Sequence, residues 1–526
     1  MTHEIYTGSR LEADLTLAGD VVIVGTGAGG GVCAEILALA GLRVVMVEEG
    51  AYWTARDFTL REVPSFARFY FEGGVRQTKD KGIGVMQGRA VGGSTTVNWT
   101  SSVRTPPQTL RYWTDTYGLK GFTPEAMAPW FEVMERRLNV QPWTAHNENN
   151  ALLARGAAQL GWRYEALPRN VKGCPGLGYC GLGCPIDAKQ SMLVTTIPTA
   201  LDHGALLLTR VRADKLDIRG DRVFGITGVA LDDRGVRLTG RRVRIDAPFV
   251  IVAGAAINSP ALLLRSNAPD PYARLGKRTF LQIHNYSIAI MPEPVDAYVG
   301  APQSVHSDQF IWRDGVTGRA GYHIEAVGTQ PAGTMNFRKG MGPELAKAAS
   351  QYRRTHILVS QIRDGFSEAS PGGTVTLRSD RSGLLDYPIT DYIRDGIRSS
   401  YLSMAECQFA AGAATVMPAN MDAQPYTTWA EARAAIASLS LRSPNTVVNS
   451  THPLGGCAMG EDPHISVVNS DGWYHHLQNL AVIDGSTFPT SVGVNPGLSI
   501  YALAARQATT LVVALGRQVP EEYRVG

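Results

Sequence analysis

Residues 20–50, DVVIVGTGAGGGVCAEILALAGLRVVMVEEG, leave the chain few ways to fold. Residues 21–24 are apolar and β-branched throughout, as in strands buried on both faces. Gly25, Gly27 and Gly30 follow at G-x-G-x-x-G spacing. Residues 32–42 then read as a helix with Ala and Leu on its packed face. Residues 44–47 read as a second buried strand, which Glu48 closes. In such a unit the first glycine permits the tight turn, the second lets a pyrophosphate approach the backbone, and the third lets helix pack on strand. The phosphates meet free N–H groups at the helix N-terminus, and the terminal acid accepts from a ribose 2′-OH. The glycine spacing alone is a weak signal, equally met by a structural turn beside a surface Glu. Strand, helix, second strand and acid together specify a dinucleotide-binding βαβ unit.

A chain of 526 residues exceeds the size at which one hydrophobic core stops growing, so two domains are expected. The later sequence shows how they interleave. Residues 249–260, FVIVAGAAINSP, are another buried strand running into a glycine turn and a helix. Residues 450–526 return to the same style, with the strand NLAVIDGS, the loop FPTSVGVNPG and a helix over 498–515. Between them, residues 105–170 read as helical and 205–244 as a small antiparallel unit. Runs such as THILVSQIRD and GGTVTLRSD alternate with period two, which marks a sheet. A helix over 395–411 accompanies it. The expectation is a discontinuous Rossmann-like α/β domain from residues 1–104, 190–290 and 446–526. An inserted α+β domain with an antiparallel sheet takes residues 105–189 and 291–445.

Charge excludes some partners. Fifty Lys and Arg against 47 Asp and Glu leave a net charge of +3, which argues against nucleic acid or an anionic membrane as the main partner. The N-terminal residues lack a basic-then-apolar pattern, and the apolar stretch over 21–47 is broken by glycines and polar residues. Neither a secretory signal nor a membrane span is expected, and the expected location is cytoplasmic. Cys33 and Cys407 read as packed thiols.

The fingerprint, GRAVGGSTTVN, VAGAAINSP, THPLGG and VIDGS…GVNP occur in this order along nearly the whole chain. Together they resemble the glucose–methanol–choline (GMC) family of FAD-dependent oxidoreductases. The C-terminal part is similar to cholesterol oxidases and bacterial FAD alcohol and glucose dehydrogenases. The resemblance implies FAD, with Gly25, Gly27, Gly30 and Glu48 on its ADP half and Val211 at the adenine. It sets Gly92, Gly93, Ser94 and Asn98 against the flavin, and Asp484 near the pyrophosphate–ribityl stretch. Some relatives attach FAD covalently through a His after GGS. Here that place holds Val97, so non-covalent FAD is expected.

The same resemblance implies oxidation of an alcohol CH–OH by hydride transfer to flavin N5. It assigns His452 as the base and Asn495 as the group that holds the oxygen. An imidazole suits the first task because its ordinary pKa lies near neutrality. An amide suits the second because it donates without competing for the proton. Read alone, His452 is equally a hydrogen-bonded core histidine, and Asn495 before Pro496 equally shapes a turn.

The loop GCPGLGYCGLGCPIDAK carries Cys174, Cys180 and Cys184. Three thiolates on a glycine-rich loop suit a three-iron cluster, or a four-iron cluster with one other ligand. The spacing is similar to the cluster loop of bacterial FAD-dependent glucose dehydrogenases, which implies an electron-acceptor protein or quinone. The alternatives are a disulfide, or cysteine turns without a cluster and reoxidation by oxygen to hydrogen peroxide. Two other classes stay open: a flavin lyase or photoenzyme on the same fold, and a non-catalytic flavoprotein partner. The substrate region carries aromatic and aliphatic side chains but no motif, which leans towards an apolar or aromatic alcohol.

Overall fold

The computed structural model describes residues 3–335, 338 and 340–525. Its centre is a six-stranded, wholly parallel sheet in the order Glu4–Thr7, Leu206–Thr209, Val44–Val47, Val21–Val24, Phe249–Val252, Leu480–Val482. The sequence order is scrambled because each parallel neighbour needs a crossover. Three of the four inner strands are almost pure Val, Ile, Met and Phe, as burial on both faces requires. Residues 4–7, 206–209, 249–252 and 480–482 lie far apart in the chain, so the domain is discontinuous, as expected.

The helix after the glycine turn runs Ala28–Leu39, four residues earlier than the apolar pattern alone suggests. Its first turn is AGGG, whose small residues let it start against the turn itself. It is buried from Gly29 to Ala38 and packs on the long helix Gly497–Ala514 and the short helix Thr196–Asp202. Glu35 is the one carboxylate on that face. It is held by Arg137 Nη2 at 2.6 Å and the Tyr523 hydroxyl at 2.6 Å, which compensates its burial and ties down the C-terminal end.

The second large element is an eight-stranded, mostly antiparallel sheet. Its central run is Val448–Ser450, His284–Ile290, Thr355–Ile362, Tyr322–Ala326 and Val305–Phe310. The helix Asp391–Ala410 packs on this sheet. The fold class is thus the expected one: a Rossmann-like α/β domain with an inserted α+β part carrying an antiparallel sheet. The segment read as helical over 105–170 is only partly so. It forms the helices Pro107–Tyr117, Pro124–Arg137 and Glu148–Gln159, and then extended pieces at Glu165–Ala166 and Pro168–Asn170. Asn139 and Gly161, both with positive φ, break the helical run.

Candidate active site

The glycine turn is packed too closely for side chains. Gly25 has φ +101°, and a Cβ there would lie 2.3 Å from the carbonyl oxygen of Ala253 on the neighbouring strand's turn. A Cβ on Gly30 would lie 1.9 Å from Gly25 O. Gly27 differs: its Cβ position meets only Gly93 Cα, at 3.8 Å. The turn is therefore closed around the first and third glycines and open over the second, the shape expected of an anion cradle.

A second glycine loop, Gly92–Asn98, is fastened to the first. Gly92 N–H donates to Thr26 Oγ at 3.1 Å, and Thr26 Oγ donates to Glu48 Oε2 at 2.7 Å. Gly50 N–H donates to Glu48 Oε1 at 2.8 Å. Burial nevertheless raises the Glu48 carboxyl above its ordinary range, the donors opposing the shift. Val211 stands beside it, its N–H donating to Glu48 O at 3.1 Å. Ser94 Oγ accepts from Gly88 N–H at 2.9 Å, and Asn98 Oδ1 from Thr100 N–H at 3.3 Å. Asp484 joins three segments: Oδ2 accepts from Ala255 N–H at 2.7 Å and Ser259 Oγ at 2.6 Å, and Oδ1 from Ser486 N–H at 2.7 Å. The residues read from the sequence as a cofactor site thus meet at the C-terminal ends of the parallel strands.

His452 is half-buried at the edge of the antiparallel sheet, its N–H donating to Ser450 Oγ at 3.1 Å. Its Nδ1 lies 3.3 Å from His284 Nε2 and 3.4 Å from Gln282 Nε2. Burial, and then the imidazoles of His284 and His323, hold His452 well below the ordinary imidazole range. From Gln282 the contacts continue inward. Its Nε2 donates to Gln361 Oε1 at 3.0 Å, and Gln361 Nε2 donates to Glu325 Oε2 at 2.7 Å. Asn495 Nδ2 reaches the same Glu325 Oε2 at 3.4 Å. One buried chain, His452–Gln282–Gln361–Glu325–Asn495, therefore connects both residues singled out for catalysis. Asn495 Oδ1 is buried without a hydrogen-bond partner, whereas Glu325 Oε1 lies 3.4 Å from His323 Nε2. Unpaired buried acceptors are costly and mark places where a ligand donor fits.

Sequence reasoning missed Gln282, His284, His323, Glu325 and Gln361. Sheet register gathers them: His284 and His323 both pair with Gln361 across neighbouring strands. The strand Tyr322–Ala326 offered one signal, since period two puts His323 and Glu325 on one face.

The metal cluster expected at Cys174, Cys180 and Cys184 finds no support. Among the described residues no group of three or more His, Cys, Asp or Glu could hold a metal ion. The reason is local. Cys174 Sγ accepts from its own turn, Gly176 N–H at 3.4 Å, while Cys180 Sγ accepts from Arg169 Nη2 at 3.5 Å. The glycine turn between them is laid on another segment through Gly300 N–H and Gly176 O, 2.9 Å apart. All three thiols are free, so they form no disulfide either. Cys33 and Cys407 are buried, as expected.

A Rossmann-like parallel sheet joined to an antiparallel sheet, with a glycine cradle and a buried His–amide network between them, defines an oxidoreductase of the flavoprotein class. A family model described as GMC oxidoreductase matches residues 66–284, and a second with the same description matches residues 369–504. The chain belongs to the GMC oxidoreductase family. An uncharacterized GMC-type oxidoreductase of Mycobacterium tuberculosis is 31% identical over 499 residues, 94% of this chain and 76% of the relative. A long-chain-alcohol oxidase of Arabidopsis thaliana is 28% identical, over 94% of this chain and 67% of the relative. Among solved structures, pyridoxine 4-oxidase from Mesorbium loti aligns with a TM-score of 0.67 at 16% identity, covering 93% of this chain and 98% of that one. No helix among the described residues is long and apolar enough to cross a membrane.

Proposed function

We propose that this chain oxidises an alcohol CH–OH to a carbonyl with non-covalent FAD, His452 taking the hydroxyl proton and Asn495 holding the oxygen. The fit of the cofactor rests on the cradle. Gly27 leaves room for a pyrophosphate where Gly25 and Gly30 leave none, and Glu48 waits as a buried acceptor at the end of the next strand. In this reading Gly25, Gly27, Gly30, Glu48 and Val211 hold the ADP half, Gly92, Gly93, Ser94 and Asn98 face the ring, and Asp484 orders the segments near the pyrophosphate. When bound, FAD supplies the acceptor for the two electrons and the carbon-bound hydrogen.

The observation that carries the reading is the run of close polar contacts from His452 to Asn495, in which Gln282 Nε2 gives its hydrogens to Gln361 Oε1 and Val494 O and abuts His452 Nδ1 at 3.4 Å. It fixes a proton acceptor and an amide in one rigid frame, which is what positioning an alcohol requires. His452, held well below the ordinary range, is neutral and able to accept at once. Asn495 spends one N–H on Glu325, which leaves its second N–H and Oδ1 for the substrate oxygen.

Support for a non-oxygen acceptor rested on a cysteine-held cluster. With no three-cysteine metal group among the described residues, dioxygen reduced to hydrogen peroxide becomes the better supported acceptor. The names of the Arabidopsis thaliana and Mesorbium loti proteins, both oxidases, agree with that choice. The plant relatives' name also favours an aliphatic alcohol as substrate.

The test is anaerobic mixing of the yellow protein with long-chain, aromatic and polyhydroxy alcohols. One class should bleach the flavin, and admitting air should restore the colour with about one equivalent of peroxide. A protein that takes up no FAD, or one whose flavin no alcohol reduces, would overturn the proposal.

A further inference from the structure

The cysteine loop remains without a task, and its surroundings suggest one. Cys180 and Cys184 are half-buried, not sealed. Arg169 is fully buried, with its guanidinium 4.9 Å from the Trp143 ring centre. Its Nε donates to Thr100 Oγ at 3.0 Å, and its Nη2 donates to Cys180 Sγ at 3.5 Å. Its Nη1 is buried without any partner. A guanidinium with one arm on a thiol and the other arm unpaired is unusual, because a buried charged donor normally has all its hydrogens placed.

The second cation is Lys189. It too is buried, its Nζ donating to Cys180 O at 2.6 Å, Asn98 O at 2.7 Å and Thr96 O at 2.9 Å. Burial pushes it down to about 8, while the neighbouring Cys180 and Cys184 oppose the shift, so both thiols lie within its field. Tight turns hold the short segment between the two cysteines. Leu182 N–H donates to Tyr179 O at 2.8 Å, and the Tyr70 hydroxyl donates to Gly181 O at 2.6 Å.

We propose that Cys180 is a peroxide-reactive thiol, activated by Arg169 and resolved by Cys184. The sulfur attacks one oxygen of hydrogen peroxide, forming an S–O bond as the O–O bond breaks. The Cys180 S–H proton passes to the departing hydroxide, which leaves as water. The unpaired Nη1 of Arg169 is the donor for the departing oxygen, whose negative charge grows as the bond breaks. The Cys184 thiol then displaces the sulfenic oxygen as a second water and closes a disulfide, so two thiols and one peroxide give one disulfide and two waters. The remaining cysteines lack this setting. Burial raises the Cys33 and Cys457 thiols and pushes Cys407 up to about 12. Cys174 has only a backbone N–H at its sulfur. The proposed oxidase reaction would make the oxidant, but the inference stands on the loop alone and is tested with added peroxide.

The experiment treats the full-length protein with hydrogen peroxide in the presence of a cyclic 1,3-dione that captures sulfenic acids, followed by peptide mass spectrometry. In Cys184→Ser the adduct should form at Cys180 roughly tenfold or more faster than at Cys174. In the unaltered protein a Cys180–Cys184 disulfide, reversible by a thiol reductant, should replace it. Arg169→Lys keeps a buried charge but removes the second arm, and should bring Cys180 towards the rate of Cys174. Equal labelling at Cys174 and Cys180, or a Cys180 rate unchanged in Arg169→Lys, would overturn the proposal. A sulfenic acid that persists in the unaltered protein would overturn the role of Cys184.

Discussion

His284 stands edge-on to His452, with ring centres 4.7 Å apart at 79° and His284 Nε2 3.3 Å from His452 Nδ1. For His452 Nε2 to accept a proton, Nδ1 must carry the hydrogen and donate it to an acceptor. His284 is held down to about 3 by burial, so it is a neutral imidazole able to accept there. Replacing His284 with Phe should slow flavin reduction by roughly tenfold or more while FAD remains bound, because the tautomer of His452 is no longer fixed. His284→Gln, which keeps an acceptor, should recover part of the rate. Stopped-flow reduction of both variants decides this, and equal rates in the two would remove the orienting role.

The removal of His452 itself should be more severe. His452→Ala takes away the proton acceptor and should cut the reductive half-reaction by about two orders of magnitude or more. The pH dependence follows from the direction of its shift. A base held well below the ordinary imidazole range stays unprotonated as pH falls through neutrality. The reduction rate of the unaltered protein should therefore be flat from about pH 8 to about pH 6 and fall only in acid. A rate that halves near pH 6.5 would show an unshifted imidazole.

Stability should show three buried histidines, of which His284 is one. Burial holds His284, His306 and His356 each down to about 3. In the unfolded chain they titrate near 6.5. Below that pH the unfolded state binds protons that the folded state refuses, so stability is complete above about 6.5 and is lost as pH falls towards about 3. Each group contributes a slope of up to about 1.4 kcal/mol per pH unit in that window. Denaturant unfolding at several pH values should show it, and replacing His356 with Gln should flatten the slope by about one proton.

The sequence made the nucleotide half plain because its signals are local. Runs such as 21–24 and 44–47 declare buried strands, and the glycines between them declare a turn that side chains would block. Gly25 and Glu48 can be singled out from this local pattern, whereas Asp484 is singled out only through the family resemblance. The other half of the site has no local signal. Glu325, Gln361 and Gln282 are ordinary polar residues until the register of strands at 284–290, 322–326 and 355–362 lines them up. Alternation places His323 and Glu325 on one face, but it does not tell that this face turns inward. The cysteine spacing misled for a related reason. Spacing fixes how far three thiols can converge on one ion, whereas the docking of the Cys174 side of the loop on the 298–301 segment fixes whether all three do.

The two glycines nearest the proposed pyrophosphate should respond differently to the same change. At Gly25, alanine is excluded twice, by a φ of +101° and by a Cβ 2.3 Å from Ala253 O. Backbone strain of this kind and a clash with a carbonyl that cannot withdraw should lower stability by roughly 2 kcal/mol or more. At Gly27 the backbone is extended, with φ −71° and ψ −157°, and a Cβ meets only Gly93 Cα at 3.8 Å. That methyl fits the protein but projects into the room left for the phosphates. Gly27→Ala should therefore leave the denaturation midpoint of the cofactor-free protein nearly unchanged and weaken FAD binding by roughly an order of magnitude, about 1.4 kcal/mol. Fluorescence titration of the two apoproteins with FAD, alongside thermal unfolding, separates the cases. A Gly27→Ala protein that binds FAD with undiminished affinity would mean that the pyrophosphate does not lie over this turn.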